Sequence, residues 1–332
     1  MQKGFILGEN CLNNILVTGG AGFIGSHLCM RLLKKNYKPV VYDAFVQYIS
    51  PFESSYQKFL DFRFLNIKKK IIFERGDVRD KGDIQRVILK YKPKIIFHLA
   101  AMPIADLGYT HPEEAISSIL NSTVNLLETI RNLDFIERFI YISSSMIYGD
   151  FIEIPTTEDH RKQPKDIYGG TKLAGEILTE AYSRRHGIKY TIVRPSAVYG
   201  PTDVNRRVIQ IFLEKAIKGE NLVLNGGEKN IIDFTYIDDI ADGLMLAGFS
   251  KGGENQQFNI TGGRGRSLVE CANIISNYFP SISYEVKPMD KARPIRGTLS
   301  IQKAKDLLGY EPKYSLEEGI QRYVQFYRDM NG

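Results

Sequence analysis

A tyrosine, a lysine and a serine in this 332-residue sequence could together move a proton and a hydride. Tyr168 and Lys172 are four residues apart in the segment YGGTK, a spacing that places both side chains on one face of a helix. A tyrosine has a pKa of about 10, so Tyr168 needs a neighbouring ammonium, such as that of Lys172, to become a base near neutral pH. It could then take a hydroxyl proton while a hydride leaves the same carbon, with Ser144 hydrogen-bonded to the oxygen.

Three glycines, each three residues after the one before, predict a site for the pyrophosphate of a dinucleotide. Gly19, Gly22 and Gly25 lie in TGGAGFIG, directly after an apolar run typical of a strand and at the start of a helical pattern. The chain must turn sharply at the first glycine. The second lets a pyrophosphate approach the helix N-terminus, and the third lets the helix pack closely on the strand. The free amide groups and the dipole of that helix would then hold the phosphates.

Carboxylates at the ends of the next two predicted strands indicate which cofactor binds. Asp43 ends the second strand, where it would accept hydrogen bonds from the adenosine ribose and repel a 2′-phosphate, so we expect NAD rather than NADP. Asp77 and Val78 follow the third strand and would lie near the adenine. The alternative for Asp77 is that it only forms a turn.

These residues need a scaffold whose strands end at one edge, and the sequence pattern predicts one. Nearly continuous apolar runs, typical of strands covered on both faces, occur at residues 14–18, 39–42, 70–74, 94–98, 138–143 and 190–195. Helical patterns lie between them at residues 23–35, 83–91, 113–133 and 168–186. The alternation predicts an α/β fold, a Rossmann-type doubly wound parallel sheet, whose carboxyl edge carries Ser144.

After Pro195 the regular alternation of strand and helix patterns ends, which predicts a smaller mixed α/β lobe for the substrate. Helical patterns occur at residues 208–219, 238–248, 268–278 and 316–329, and strand patterns at 221–224 and 257–260. We expect an NAD-binding Rossmann domain of residues 1–195 plus about 231–262, and a substrate lobe of about 196–230 plus 263–332.

Composition excludes several other classes of protein. The formal net charge of +6 is mild, and the densest basic run, NIKKK, lacks interleaved aromatic residues, so no nucleic-acid partner is expected. The sequence contains no apolar run of about 18 residues, so no membrane span is expected. The cysteines, Cys11, Cys29 and Cys271, are far apart, and no cluster of His, Asp or Glu has metal-ligand spacing. We therefore expect reduced thiols in a cytoplasmic protein without a metal site.

In combination, the motifs resemble those of extended short-chain dehydrogenases/reductases of the nucleotide-sugar epimerase/dehydratase family. The matching segments span nearly the whole chain. They are residues 14–28 (NILVTGGAGFIGSHL), 76–80 (GDVRD), 97–101 (FHLAA), 141–150 (YISSSMIYGD), 168–172 (YGGTK), 193–201 (VRPSAVYGP), 234–243 (FTYIDDIADG) and 300–320 (SIQKAKDLLGYEPKYSLEEGI).

The resemblance implies a role for each matching residue. Tyr168 would be the general base and acid, Lys172 would bind the nicotinamide ribose and lower the pKa of the tyrosine, and Ser144 would be the catalytic serine. The implied NAD contacts are Gly19, Gly22, Phe23, Ile24, Gly25, Asp43, Asp77, Val78, Leu99, Ala100, Ala101, Tyr168, Lys172, Pro195 and Ser196. The implied contacts to a nucleotide-diphosphate sugar are Ser144, Ser145, Met146, Tyr168, Arg206, Arg207 and Arg296, with Arg293 a further available cation and Arg296 aligning best with the family's late arginine.

Departures from the family pattern bear on the substrate. Dehydratases carry an acid after the catalytic serine or threonine, whereas this chain has Ser145 and Met146, which puts dehydration in doubt. Ala197 and Ile232 stand where many relatives have an Asn and an Arg that contact the diphosphate, and Ile119 stands where Asn is common. The diphosphate must therefore be held differently.

We expect NAD-dependent oxidation at C4 of a nucleotide-diphosphate sugar, as a 4-epimerase in the biosynthesis of surface-polysaccharide sugars. The alternative is a 4-dehydrogenase or 4-keto reductase acting on a modified nucleotide sugar, such as a deoxyhexose or heptose. A 4,6-dehydratase is less favoured, and a non-catalytic NAD-binding sensor is least favoured because both Tyr168 and Lys172 are present. The family also predicts a homodimer that pairs the helices at 113–133 and 168–186.

Three further features favour structural roles. His98, at a predicted strand end, is expected to be a packed or hydrogen-bonded core histidine. Asp238 and Asp239 are expected to cap a helix rather than to bind a metal. Tyr148 could contact the sugar or could equally only pack in the interior.

Overall fold

A computed structural model describes residues 14–50 and 55–331 and has the expected alternation of strands and helices. The strands are β1 (Asn14–Thr18), β2 (Lys38–Asp43), β3 (Ile72–Arg75), β4 (Ile95–His98), β5 (Arg138–Ile142), β6 (Tyr190–Arg194), β7 (Val198–Tyr199), β8 (Leu222–Asn225), β9 (Ile231–Asp233), β10 (Thr235–Tyr236), β11 (Gln256–Asn259), β12 (Gly265–Ser267) and β13 (Tyr284–Lys287). The sequence also predicts a short extension before the first strand, and residues 1–13, on which this prediction falls, lie outside the described residues.

The helices are α1 (Phe23–Lys34), α2 (Tyr56–Phe64), α3 (Lys81–Tyr91), α4 (Leu107–Thr110), α5 (Pro112–Ala115), α6 (Ser122–Ile130), α7 (Ile167–His186), α8 (Val208–Ile217), α9 (Ile237–Phe249), α10 (Leu268–Ser276), α11 (Gln302–Leu308) and α12 (Leu316–Asn331). A π-helical stretch, Ile116–Asn121, joins α5 to α6. The helix expected at 113–133 therefore forms as one continuous helical path that contains a wider π-helical turn. Short 3₁₀ turns occupy Lys68–Lys70, Ser145–Tyr148, Gly227–Lys229 and Lys251–Gly253.

Seven parallel strands form the central sheet in the order β3-β2-β1-β4-β5-β6-β11, which confirms the doubly wound fold. The chain order reverses between β1 and β4, where Thr18 is opposite His98. At such a switch point the loops leave the carboxyl edge in opposite directions and open a crevice, the usual ligand site of this architecture.

Both faces of the sheet are buried because successive side chains of its apolar strands point to opposite sides. On one face, Ile15 and Val17 pack with α1 and α9. On the other face, Leu16 packs in a cluster that α3 and α6 complete. The two clusters hold the sheet rigid, so the residues that follow its strands have fixed positions.

The smaller pairings follow β6. Strands β8 and β13 pair in parallel, β9 and β12 pair antiparallel, and β7 and β10 form a short parallel pair. The chain returns to the central sheet through α9, which packs on α1, and β11, which pairs with β6.

Two expectations about local structure were wrong. The third strand begins at Ile72 rather than residue 70, because Lys68–Lys70 forms a 3₁₀ turn with its lysines outside the core. Neither Asp238 nor Asp239 caps α9, whose N-cap position is Tyr236. Instead, Asp238 forms an ion pair with Arg31 at 2.7 Å, and Asp239 accepts hydrogen bonds from two backbone amides of the segment after α11.

Within residues 14–50 and 55–331, no helix combines the length and apolar character needed to cross a membrane. No group of three or more His, Cys, Asp or Glu in the same ranges is arranged to hold a metal ion.

Candidate active site

The glycine-rich turn between β1 and α1 has the geometry that its spacing predicts. Gly19 has a φ of +68°, and a Cβ there would lie 2.7 Å from the backbone nitrogen of Ala100, so the position needs glycine. Gly22 occupies the N-cap of α1, and no side chain caps the amides of the first turn. These amides line a cavity together with Phe23, Ile24 and Gly25, which leaves the helix N-terminus able to bind an anion.

Asp43 lies at the same end of the cavity, as expected. Its carboxylate accepts hydrogen bonds from the backbone amides of Ala21 at 2.9 Å and Phe45 at 2.7 Å. Burial raises its pKa, and these backbone hydrogen bonds partly offset that effect. The carboxylate therefore orders the turn as well as facing the cavity.

Arg63 on α2 is a site residue that the sequence reasoning missed. The buried guanidinium donates to the carbonyl oxygens of Ala21 at 2.8 Å and Thr202 at 2.5 Å. Burial lowers its pKa to about 10. Arg63 thus joins the glycine-rich turn to the loop after β7. Its partners are remote in sequence and its helix was not predicted, so no local signal marked it.

Tyr168 lies in the first turn of α7. Asp166 caps this helix by accepting a hydrogen bond from the amide of Gly169 at 2.5 Å. The phenol of Tyr168 lines the same cavity as Ser144, which follows the end of β5 and whose hydroxyl lowers the pKa of the phenol. The Ser144 hydroxyl oxygen also accepts from the amide of Met146 at 3.2 Å and so caps the 3₁₀ turn there. The pair that the sequence predicts therefore forms.

Lys172 is one turn further along α7, with only 4% of its surface exposed. Its ammonium donates to the carbonyl of Ile142 at 2.7 Å and lies 5.9 Å from the centre of the Tyr168 ring. Burial lowers its pKa to about 7, although the charge of Glu176 opposes that shift.

Burial also raises the pKa of Tyr168, whereas the charge of Arg207 and the hydrogen bond from Ser144 lower it. Lys172 is not among the groups that stabilise the phenolate. The expectation that the Lys172 ammonium lowers the pKa of Tyr168 therefore stays a prediction, because burial disfavours the charged forms of both groups.

One cavity of about 820 Å³ joins the glycine-rich turn to these catalytic candidates. It is lined by all but one of the residues expected to contact a cofactor or substrate. Those lining residues are Gly19, Gly22, Phe23, Ile24, Gly25, Asp43, Asp77, Val78, Leu99, Ala100, Ala101, Ser144, Ser145, Met146, Tyr168, Lys172, Pro195, Arg206, Arg207 and Arg296. Ser196 is the exception: it is buried behind the wall, where its carbonyl accepts from the Thr235 hydroxyl at 2.8 Å.

The cations of the cavity differ in how they are already paired. Arg207 forms an ion pair with Asp203 at 2.9 Å, and Arg293 forms one with Asp106 at 2.5 Å. In the described parts of the chain, no hydrogen-bond or ion-pair partner meets the Arg296 side chain, whose pKa is lowered to about 10 by burial. Arg296 therefore has the greatest capacity to bind an anion.

Three of the residues that depart from the family pattern are apolar parts of the cavity wall. Ala197 and Ile232 line the cavity, and Ile232 is 5% exposed, so neither offers a charge to a ligand. Ile119 is buried in the widened turn before α6. Met146 lines the cavity after Ser144 and has no group that could protonate a leaving hydroxyl.

Burial and hydrogen bonds show that two further residues, His98 and Tyr148, have structural roles. His98 is a core histidine, as expected: its ring nitrogens pair with Thr18 at 2.8 Å and Thr123 at 3.2 Å, and burial lowers its pKa to about 3. Tyr148 is fully buried, donates to Asn259 at 2.8 Å and accepts from Arg194 at 2.9 Å, so it packs and does not reach a sugar.

Known proteins share both the sequence and the fold. The model of the NAD dependent epimerase/dehydratase family matches residues 15–261. A putative UDP-glucose 4-epimerase of Methanocaldococcus jannaschii is 31% identical over 323 residues, which cover 96% of this chain and 99% of that protein.

Two solved structures extend the comparison. The UDP-glucose 4-epimerase of Thermotoga maritima, with UDP-glucose, has a TM-score of 0.85, 30% identity and coverage of 96% and 100% of the two chains. The UDP-glucuronic acid 4-epimerase of Bacillus cereus, with UDP-glucuronic acid and NAD, has a TM-score of 0.87, 28% identity and coverage of 96% and 99%. This chain is therefore an NAD-dependent enzyme of the extended short-chain dehydrogenase/reductase class and belongs to the NAD dependent epimerase/dehydratase family.

Proposed function

We propose that this enzyme oxidises C4 of a nucleotide-diphosphate sugar reversibly and acts as a 4-epimerase, with a UDP-sugar as its substrate. The observation that carries the proposal is the meeting of Ser144, Tyr168 and Lys172 with the glycine-rich turn in one cavity. The similar 4-epimerases whose structures contain UDP-glucose or UDP-glucuronic acid support the choice of nucleotide.

The cavity fits NAD at its glycine-rich end. Because Gly19 and Gly22 have no Cβ, a pyrophosphate could approach their backbone closely. The uncapped amides of α1 suit such an anion. Asp43 would hold the adenosine ribose, and Lys172 the nicotinamide ribose. When bound, NAD accepts a hydride and later returns it.

The side chains at the other end would manage the proton and the sugar. Tyr168 would take the proton of the 4-hydroxyl group and later return it to the 4-keto oxygen. Ser144 would donate a hydrogen bond to the same oxygen. Inversion requires the keto sugar to present its other face before it is reduced again, so the cavity must hold the diphosphate firmly and the sugar loosely.

Arg296 is the proposed anchor for the diphosphate, because its half-buried side chain lines the cavity and makes no hydrogen bond or ion pair in the described structure, although the charges of Asp166 and Asp106 act on it. A charge-assisted hydrogen bond is worth about 1.5–3 kcal/mol. Arg296→Met should therefore raise the Kd for UDP by roughly tenfold or more in titration calorimetry. Arg264→Met, which changes an exposed arginine outside the cavity, is the matched control and should leave that Kd unchanged.

Tyr168→Phe tests the proposed acid and base. The change removes only the hydroxyl, so turnover of the sugar should fall by at least about 100-fold while binding of NAD and UDP persists. Tyr182→Phe is the control, because Tyr182 is on the same helix and its hydroxyl donates to Glu128, away from the cavity. Turnover that survives Tyr168→Phe would count against the assignment and favour a non-catalytic role.

A 4-dehydrogenase or 4-keto reductase remains the second candidate, since the apolar Ala197 and Ile232 imply an unusual ligand. Equimolar build-up of NADH with substrate would favour it over epimerisation. A 4,6-dehydratase is not favoured, because Met146 cannot act as an acid.

We also propose that the enzyme works in the cytoplasm and supplies sugars for a surface polysaccharide. The buried free thiols of Cys29 and Cys271 suit a reducing compartment. Growth with a disrupted gene and sugar analysis of the cell envelope would test the second part: an unchanged envelope composition would contradict it.

A further inference from the structure

Four polar side chains meet beside the adenosine end of the cavity. They come from three segments that follow strands of the central sheet: Tyr48 after β2, Asp77 and Arg79 after β3, and Glu114 on α5 after β4. Arg79 donates to Asp77 at 2.6 Å and to Glu114 at 2.8 Å, and the Tyr48 hydroxyl donates to the other oxygen of Glu114 at 3.1 Å. We call this set the adenosine clasp.

Two of the three segments that form the clasp, those of Arg79 and Glu114, are anchored in the domain. The side-chain amide of Asn125 on α6 donates to the carbonyl oxygens of Val78 at 3.1 Å and Arg79 at 2.9 Å, which fixes the backbone that carries Arg79. Glu114 lies in the first turn of α5, where a carboxylate is favourable. The loop that carries Tyr48 is therefore joined to two anchored segments through a single carboxylate.

Three members of the clasp share the cavity wall with Asp43 and Val78. Tyr48, Asp77 and Arg79 also line it, whereas Glu114 does not, and within residues 14–50 and 55–331 its carboxylate bonds to Arg79 and Tyr48 alone. The charged groups are between 27% and 38% exposed, so water screens them only in part. The bonds to Glu114 therefore hold Tyr48 and Arg79 in the wall of this end of the cavity.

We propose that the adenosine clasp retains NAD, with Glu114 as a positioning residue that never contacts the cofactor. An enzyme that returns each hydride to its own substrate needs no exchange of cofactor, and the clasp makes NAD a resident group. The inference rests on the proposed 4-epimerase function, with NAD as the cofactor, and is independent of which sugar is turned over.

The test is the dissociation rate of NAD from the loaded enzyme, followed after dilution into an NAD-consuming coupling system. Glu114→Ala removes both bonds and should speed dissociation by about tenfold, and Tyr48→Phe removes one and should give a smaller increase. Added salt should speed release from the parent more than from Glu114→Ala, because salt screens the ion pair that the variant lacks.

Arg86→Met is the matched control. Arg86 also bridges two carboxylates, Glu74 and Asp83, on the same domain, but it does not line the cavity. Its variant should release NAD at the parent rate. A dissociation rate for Glu114→Ala within twofold of the parent would overturn the proposal. So would equal acceleration by Glu114→Ala and Arg86→Met, which would indicate general loosening of the domain.

Discussion

Burial shifts the pKa values of Tyr168 and Lys172 in opposite directions. Burial raises the pKa of the phenol and lowers the pKa of the ammonium to about 7, so both groups are pushed towards their neutral forms. Near neutral pH the lysine is therefore close to its midpoint of protonation. A small electrostatic change, such as the arrival of a charged ligand, can then alter the charge of the site.

The charge of Lys172 should cost stability in the cofactor-free protein. Because its folded pKa of about 7 lies below its usual 10.5, the unfolded chain binds more protons between these values, and stability rises with pH across that window. Below pH 7 the cost is fully present. Lys172→Met should therefore raise the Tm at pH 6–7, by roughly 2 °C for each kcal/mol recovered.

Scanning calorimetry at pH 6 and pH 9 would measure this effect. Lys81→Met, which changes a lysine that is 49% exposed, is the control and should shift the Tm little at either pH. A Tm for Lys172→Met below that of the parent at pH 6 would contradict the account. It would mean that the bond from Lys172 to the Ile142 carbonyl outweighs the cost of burying the charge.

At the scale of elements, α7 places the catalytic pair because its start is fixed. The helix begins at Ile167 and runs for 20 residues, and Asp166 caps it directly before Tyr168. Fraying of the first turn would move the phenol while leaving Lys172 in the packed second turn. The cap is therefore part of the catalytic arrangement and not only of the helix.

Asp166→Ala should lower both turnover and stability, the latter by about 1 kcal/mol as is usual for a lost N-cap. Asp166→Asn keeps a capping oxygen and should retain most of the stability. Asp80→Ala removes the equivalent cap of α3, where Asp80 accepts from the amide of Asp83 at 3.0 Å, and should lower the Tm without affecting turnover. Equal activity losses in the α3 and α7 cap variants would refute a specific role for Asp166.

The strands and helices around the site could be predicted because each carries its own periodic pattern. Strand β1 was predicted with the observed bounds, and α7 to within one residue. Helix α2 was not predicted, since its apolar residues Phe59 and Phe62 face different surroundings, one buried and the other 51% exposed. Arg63, with partners far away in sequence, depends on tertiary packing that no local pattern reports.

At the scale of the whole molecule, we propose a homodimer that pairs α7 and the path from α5 to α6. The path from α5 to α6 carries apolar residues at helical spacing, and part of this apolar stripe is used inside the protomer, because Ile119 and Leu127 are buried. Ile116 on the same path is 42% exposed, and Ile177 on α7 is 55% exposed. These side chains are available to a second copy.

Ile177→Asp should shift the protein from dimer to monomer in light scattering at micromolar concentration, because it places a charge in the proposed contact. Ile154→Asp is the control: Ile154 is 59% exposed and lies outside both helical segments, so that variant should remain a dimer. A parent protein that is already monomeric at this concentration would rule out the dimer.

The central claim, reversible hydride transfer at C4 within one site, is tested most directly by proton NMR of the reaction in D₂O. UDP-glucose, UDP-glucuronic acid and related UDP-sugars would be mixed with the NAD-loaded enzyme and with its Tyr168→Phe variant. We predict a product inverted at C4 that keeps its original hydrogen there, with no net NADH, and formed at least about 100-fold more slowly by the variant. Equimolar NADH, or a product carrying solvent deuterium at C5 or C6, would contradict the account.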